Sequence, residues 1–202
     1  MKVTKESLEL VEDISNKINN KTFHHHYHIL YDIGRLFSKK ITYLEIGCYA
    51  GGSACLMLQR PNTEVISIDL GKPISHSVAK GNVESLNKHN NKFSYIEGDS
   101  HAQNTISKLE TILGNSMVDI LFIDGDHSRI GVIKDFEIYS KYVNSGGYIV
   151  FDDYNDSQHS PQVKTAVDSL IFNDYKFIGT FGNEFNARPI NHPANEYVIR
   201  KN

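Results

Sequence analysis

Two apolar runs that end in carboxylates constrain the fold of this chain more than any other feature. Leu-Phe-Ile-Asp-Gly-Asp-His occupies residues 121–127, and Gly-Gly-Tyr-Ile-Val-Phe-Asp-Asp-Tyr occupies residues 146–154. Runs of Ile, Leu, Val and Phe without polar alternation suit strands buried on both faces, as in a parallel sheet, and ligands gather where such strands end. Asp124, Asp152 and Asp153 then converge on one rim. Three carboxylates in a partly buried site repel one another strongly, and an all-oxygen ligand set favours Mg²⁺, Mn²⁺ or Ca²⁺. The pattern predicts a divalent-metal site.

The remaining periodicities fill in a sheet around those two strands. Leu8, Val11, Ile14 and Ile18 recur at helical spacing, as do Ile29, Leu30, Ile33, Leu36 and Phe37, which predicts helices over residues 1–20 and 26–38 ahead of any strand. From Ile41 the pattern alternates: strands at 41–46, 64–69, 93–97, 118–124 and 147–152, with helices at 52–60, 80–90, 102–113, 129–143 and 161–172 between and after them. That is an open α/β sheet of five parallel strands. Tyr175–Phe181 and Tyr197–Arg200 are joined by a Gly/Asn/Pro-rich loop too short for a helical crossover, so they are expected to pair antiparallel.

Composition narrows the partners. A chain of 202 residues with 21 Lys+Arg against 24 Asp+Glu, its basic residues scattered, argues against nucleic acid or an anionic membrane and for a small neutral or zwitterionic substrate. Cys48 and Cys55 form no C-x-x-C pair, and neither a signal peptide nor a bilayer-length apolar run is visible. The expectation is a soluble, cytoplasmic protein.

The first strand runs into Tyr43-Leu44-Glu45-Ile46-Gly47-Cys48-Tyr49-Ala50-Gly51-Gly52-Ser53. Missing side chains in such a turn let backbone N–H groups approach a ligand. A dinucleotide fingerprint needs G-x-G-x-x-G, whereas here three residues separate Gly47 from Gly51 and an acid precedes the first glycine. This E-x-G-x-x-x-G-G turn resembles motif I of the class I S-adenosylmethionine-dependent methyltransferases. The resemblance implies that Glu45, Gly47, Gly51 and Ser53 lie against the methionine part of the cofactor, Glu45 acting through its cationic end. Asp69, ending the second strand, can accept hydrogen bonds from both ribose hydroxyls, a feature shared with NAD enzymes. Glu97-Gly98-Asp99-Ser100-His101 resembles the segment that meets adenine, which implicates Asp99 and Ser100.

The wording Ile-Asp-Gly-Asp-His-Ser, a helix, then Gly-Gly-Tyr-Ile-Val-Phe-Asp-Asp-Tyr closely resembles the small-molecule O-methyltransferases related to macrocin O-methyltransferase, which methylate sugar hydroxyls; the catechol O-methyltransferases are more distantly similar. The resemblance implies a seven-stranded sheet of order 3-2-1-4-5-7-6 with the last strand antiparallel, a helical extension or lid at 1–40, and a cofactor-binding domain at 41–202. It also implies a Mg²⁺ or other divalent ion on Asp124, Asp152 and Asp153, with Asp124 bordering the cofactor too. His127 stands where the catechol enzymes carry a basic lysine, and an unperturbed pKa of about 6.5 suits proton transfer near neutrality. Asp126 reads as a cap for the following helix, a role also open to Asp153 in its own loop.

The run His24-His25-His26-Tyr27-His28 is the one compositional oddity. His24 and His28 stand four apart, a spacing that suits zinc, but no H-E-x-x-H motif accompanies them. The run is expected at the junction between the N-terminal helices and the sheet, over the cofactor or acceptor pocket, with one histidine assisting proton transfer or the whole run serving only as a solvated junction. Acceptor identity is expected in residues 1–40, in 154–160, and in 182–195 with Asn186, Arg188 and His192. Their polar character and the lack of Trp suit a sugar or sugar nucleotide better than a flat phenol. The same surfaces suit a homodimer contact. Open alternatives are a catechol or other phenol acceptor, N-methylation of an amino sugar, an NAD-dependent oxidoreductase, for which Tyr139-Ser-Lys141 lacks the usual Tyr-x-x-x-Lys spacing, and an inactive nucleoside-binding module.

Overall fold

A computed structural model describes residues 3–18, 25–71, 73–182 and 195–202. Seven strands form one sheet: β1 (Ile41–Ile46), β2 (Thr63–Asp69), β3 (Phe93–Glu97), β4 (Val118–Ile123), β5 (Val143–Phe151), β6 (Tyr175–Phe181) and β7 (Glu196–Lys201). Their order is β3-β2-β1-β4-β5-β7-β6, as expected. The first five are mutually parallel, and β7 runs antiparallel to both β5 and β6.

Every residue of β1 and β4 is buried, the polar Thr42, Glu45 and Asp119 included. Side chains alternate across the sheet and feed two cores. Ile41, Tyr43, Val65, Ile120, Phe122 and Val150 face one of them; Leu44, Ile66, Leu121, Ile123, Ile149 and Phe151 face the other. The first core is closed by α1 (Lys5–Lys17), α2 (His28–Gly34), α3 (Gly52–Met57) and α4 (Pro73–Leu86), and the second by α5 (Gln103–Leu113), α6 (Arg129–Tyr139) and α7 (Val163–Ser169).

The described residues of the 1–40 stretch, expected as an extension or lid, contribute side chains to the first core. Val11 and Ile14 of α1 pack with Ile29, Leu30 and Ile33 of α2 and with Ala54 and Leu56 of α3. Buried Asp32 fastens α1 to α2 by accepting from the hydroxyls of Thr4 and Ser7, each at 2.7 Å. Arg60, after α3, locks the turn that leads into β1: its guanidinium donates to the carbonyls of Gly34, Phe37 and Lys39 at 2.7–2.8 Å.

Most helices are shorter than expected, and three elements begin differently. The second predicted helix opens as a 3₁₀ turn at His25–Tyr27 before α2. Helix α4 begins at Pro73, seven residues early, because proline is tolerated in a first helical turn, where its missing N–H has no intrahelical acceptor to lose. Strand β5 begins at Val143, before its glycines, by way of a register shift against β4. No helix among the described residues is long and apolar enough to cross a membrane. Cys48 and Cys55 are both buried free thiols.

Candidate active site

In this strand order the chain leaves β1 toward β2 and β3, then returns to place β4 on the other side of β1. A crevice opens at such a switch point, beyond the carboxyl ends of the strands. Gly47 makes the junction possible. With φ +89°, it lies so close to the loop after β4 that a Cβ built on it would stand 1.8 Å from the Asp124 carbonyl oxygen. The main chain is pinned on both sides, by Gly47 N–H to the Ile68 carbonyl and Asp124 N–H to the Ile46 carbonyl, each at 2.8 Å. Gly51, also left-handed at φ +78°, turns the chain into α3.

Glu45 and Ser53 hold this loop from behind. Glu45 is fully buried and accepts from Ser53 Oγ and Ser67 Oγ at 2.6 Å and from Tyr43 OH at 3.0 Å. Burial pushes its carboxyl up, and the hydroxyls pull it back down. Glu45 and Ser53 thus face each other behind the turn, and Glu45 is 0 % exposed. Their task is to set the shape of the turn.

Asp69 ties the first two loops together. Its Oδ2 accepts from the N–H groups of Cys48 and Tyr49, and its Oδ1 from Gly71 N–H, all at 2.9 Å. The Oδ1 atom keeps one lone-pair direction for an incoming hydroxyl. Asp99 is exposed and accepts from His101 N–H at 2.9 Å. Ser100 turns away from the rim, donating to Asp135 Oδ1 at 2.8 Å, and His101 Nε2 meets the same oxygen at 3.1 Å.

Asp135, on α6, is wholly buried, and burial pushes its carboxyl from 3.8 up to about 6 against the pull of Ser100 and His101. An acid whose folded pKa lies above its unfolded one binds more protons when folded, so stability is lost as pH rises between those values. The loss across that window is on the order of 2–3 kcal/mol. Asp135→Asn is expected to remove this slope, checked by urea denaturation at about pH 4.5 and pH 7. Equal pH slopes in the two proteins would rule the assignment out.

Beyond β4 and β5 the structure assembles a larger acidic group. Asp124, Asp152 and Asp153, all singled out from sequence, come together there with a fourth acid, Glu196 at the start of β7. Asp152 is 2 % exposed, Asp153 4 % and Glu196 0 %. Glu196 arrives through strand register: Phe151 pairs with Tyr197, which brings Asp152 and Glu196, the next residue on each chain segment, to the same end of the sheet. Burial first, then the neighbouring acids, pushes Asp124 and Glu196 well above the ordinary carboxylate range.

The acids are met by groups from the N-terminal segment and the loop after β5. His26 Nε2 lies 2.8 Å from Asp152 Oδ1, and Tyr27 OH donates to Asp124 Oδ2 at 3.3 Å. The histidine run thus does stand over the site, through His26; His24 lies outside the described residues, as do Asn186, Arg188 and His192. His127 bridges two acids: Nε2 is 3.1 Å from Asp124 Oδ1, and Nδ1 is 2.7 Å from Ser160 Oγ, which donates to Asp153 Oδ2 at 2.7 Å. Ser160 has one proton to give. With Asp153 receiving it, His127 Nδ1 must donate to Ser160, and the contact between Nε2 and Asp124 needs one further proton on either partner.

Asp153 adopts φ +55°, rare for a residue with a Cβ, which aims its carboxyl at Ser160. Asp126 is a cap reinforcement, accepting from Ser128 N–H and Oγ while Ser128 Oγ caps α6 by accepting from Gly131 N–H. In the 154–160 stretch Tyr154, Asp156 and Ser160 are buried, so only residues such as Gln158 and His159 face outward. Sequence reasoning missed Glu196, Tyr27 and Ser160, and the only signal for Glu196 was its place at the head of a short strand.

The donor set fits a divalent cation. Three buried carboxyls and the half-buried Asp124 face at most two cationic histidines, and neither Glu196 oxygen has a hydrogen-bond donor among the described residues, His26 Nε2 standing 3.6 Å from Oε1. The crevice at the switch point fits a nucleoside cofactor, since Gly47 and Gly51 bring bare backbone to it and Asp69 retains acceptor capacity.

Comparison with known proteins bears on the family and the fold. A family model described as a methyltransferase domain matches residues 44–154, more than half of the chain. The chain belongs to that family and is a class I S-adenosylmethionine-dependent methyltransferase. An uncharacterized protein of Acanthamoeba polyphaga mimivirus is 38 % identical over 204 residues, spanning 93 % of this chain and 91 % of its own. Among solved structures, an O-methyltransferase from Bacillus cereus in complex with SAH superimposes with a TM-score of 0.68 at 16 % identity, covering 98 % of this chain and 92 % of its own. A SAH-bound methyltransferase of Podospora anserina gives 0.65 at 14 %, covering 99 % and 89 %. An rRNA methylase from Streptococcus thermophilus gives 0.63 at 11 %, covering 87 % and 96 %. These structures share the fold.

Proposed function

We propose that the enzyme transfers a methyl group from S-adenosylmethionine to a hydroxyl of a sugar or sugar-containing small molecule, with a divalent cation held by Asp124, Asp152 and Asp153. The observation that carries this reading is the buried acid group directly beside the cofactor loop, joined to it through the contact between Gly47 and the Asp124 main chain. Methyl transfer from a sulfonium is an in-line displacement, so the acceptor oxygen must be held about 3 Å from the methyl carbon, opposite sulfur. A bound cation such as Mg²⁺ supplies a lowered pKa and a fixed direction for the acceptor hydroxyl.

The chain's own residues do the rest. His127 takes the acceptor's proton at Nε2, the nitrogen facing Asp124, and Asp124 stabilises the imidazolium that results. Ser160 and Asp153 hold the ring through Nδ1, so that Nε2 faces the reacting side. His26 and Tyr27 cover the acids from the N-terminal side and keep water from the reacting oxygen. Outward-facing Gln158 and His159 supply polar recognition to a hydroxyl-rich acceptor.

Calorimetric titration of chelator-treated protein with S-adenosylmethionine, followed by a panel of sugar nucleotides, free sugars and catechols with and without Mg²⁺, tests the assignment. Metal-dependent methylation confined to sugar hydroxyls is the expected outcome. Turnover of catechols alone would move the acceptor to phenols, and turnover indifferent to chelation would remove the cation.

A further inference from the structure

The group that best satisfies metal-ligand spacing among the described residues is not the Asp124, Asp152, Asp153 set. His26, Asp152 and Glu196 each offer an atom within 4.8 Å of the other two. Bonds of about 2.1 Å set neighbouring ligand atoms on the order of 3–3.5 Å apart. Two of the three separations bracket that range, His26 Nε2 to Asp152 Oδ1 at 2.8 Å and His26 Nε2 to Glu196 Oε1 at 3.6 Å. Glu196 supplies a second, independent sign: it is 0 % exposed, its oxygens have no hydrogen-bond donor among the described residues, and it stands one position beyond Tyr197, the partner of Phe151 in the last pair of β5 and β7. Buried acids brought this close repel one another, so something positive belongs between them.

We propose that His26 and Glu196, with Asp152, form a mixed nitrogen and oxygen site that selects a first-row transition dication such as Mn²⁺, Fe²⁺, Co²⁺ or Zn²⁺ over Mg²⁺. An imidazole ligand favours those ions, whereas Mg²⁺ and Ca²⁺ prefer oxygen alone. His26 belongs to the 3₁₀ turn ahead of the buried helix α2, and Glu196 opens β7, so one ion would cross-link the N-terminal segment to the far side of the sheet. The inference deepens the metal part of the proposed function and rests on the acid group being a cation site.

The test is calorimetric titration of the chelator-treated full chain with Co²⁺ and, separately, Mg²⁺, on wild type, His26→Ala, Glu196→Gln and Asp124→Asn. S-adenosylmethionine binding in the same samples reports whether each variant is folded. Wild type is expected to bind Co²⁺ at least about tenfold more tightly than Mg²⁺, and His26→Ala and Glu196→Gln each to lose on the order of tenfold or more in Co²⁺ affinity while changing Mg²⁺ far less. Glu196→Gln preserves volume and decides the matter if His26→Ala fails to bind the cofactor. Co²⁺ and Mg²⁺ affinities indifferent to both substitutions, but lost in Asp124→Asn, would overturn this site and leave the acid-triad reading standing. No binding of either ion to wild type would overturn both.

Discussion

Gly47→Ala is expected to cost about 4 kcal/mol or more of stability and to abolish S-adenosylmethionine binding. Left-handed backbone alone costs roughly 1–2 kcal/mol for a residue with a Cβ. The larger part comes from contact, since the added carbon would lie 1.8 Å from the Asp124 carbonyl oxygen and 2.6 Å from its carbon. Neither partner can yield, because Asp124 N–H is bonded to the Ile46 carbonyl and Gly47 N–H to the Ile68 carbonyl. The loops after β1 and β4 must part, taking the cofactor turn and the first acid with them. Gly81→Ala is the matched control: it lies in α4 with nothing within 4 Å of the added carbon, and a gain of up to about 1 kcal/mol is expected there. Thermal melts of the two variants, with cofactor calorimetry, separate local contact from any general intolerance of added methyls.

Asp152→Asn is expected to push stability and activity in opposite directions. Removing the charge relieves Asp124 and Glu196, while the amide oxygen still accepts from His26, so the metal-free variant should gain about 1–2 kcal/mol. Methyl transfer should fall on the order of a hundredfold, with cofactor affinity nearly unchanged. The pH dependence carries a sign as well. Asp124 and Glu196 have folded pKa values above their unfolded ones, so the metal-free wild type loses stability as pH rises above the ordinary carboxylate range. That slope should be shallower in Asp152→Asn. Urea denaturation across pH, in chelator, reads both effects, and a variant less stable than wild type at pH 7 would contradict the repulsion argument.

Local pattern carried the sheet, because strands buried on both faces cannot hide their composition. Leu121–Ile123 and Ile149–Phe151 announce themselves as unbroken apolar runs, each followed directly by carboxylates. The acids Asp124, Asp152 and Asp153 were legible for the same reason. Glu196 was not, since it joins the site through antiparallel register across a separation that no local pattern encodes. His26 was visible only as one of a run, and nothing in the sequence distinguishes it from its neighbours; its partner, Asp152, is fixed by how α2 packs into the first core. The inward turn of Glu45 depends on Ser53, Ser67 and Tyr43, hydroxyls from three elements that converge only in the fold. Ser160 reaches Asp153 because Asp156 folds the intervening loop, accepting from Gln158 and His159 N–H groups at 2.9 and 2.8 Å.

The most direct test of metal-assisted methyl transfer is a mass-spectrometric assay of purified enzyme with isotopically labelled S-adenosylmethionine and a sugar-nucleotide panel, run in chelator and again after a divalent ion is restored. Label arriving on a sugar hydroxyl only when the ion is present is the predicted result. Label transferred equally in chelator, or none transferred to any hydroxyl with cofactor bound and metal supplied, would contradict it.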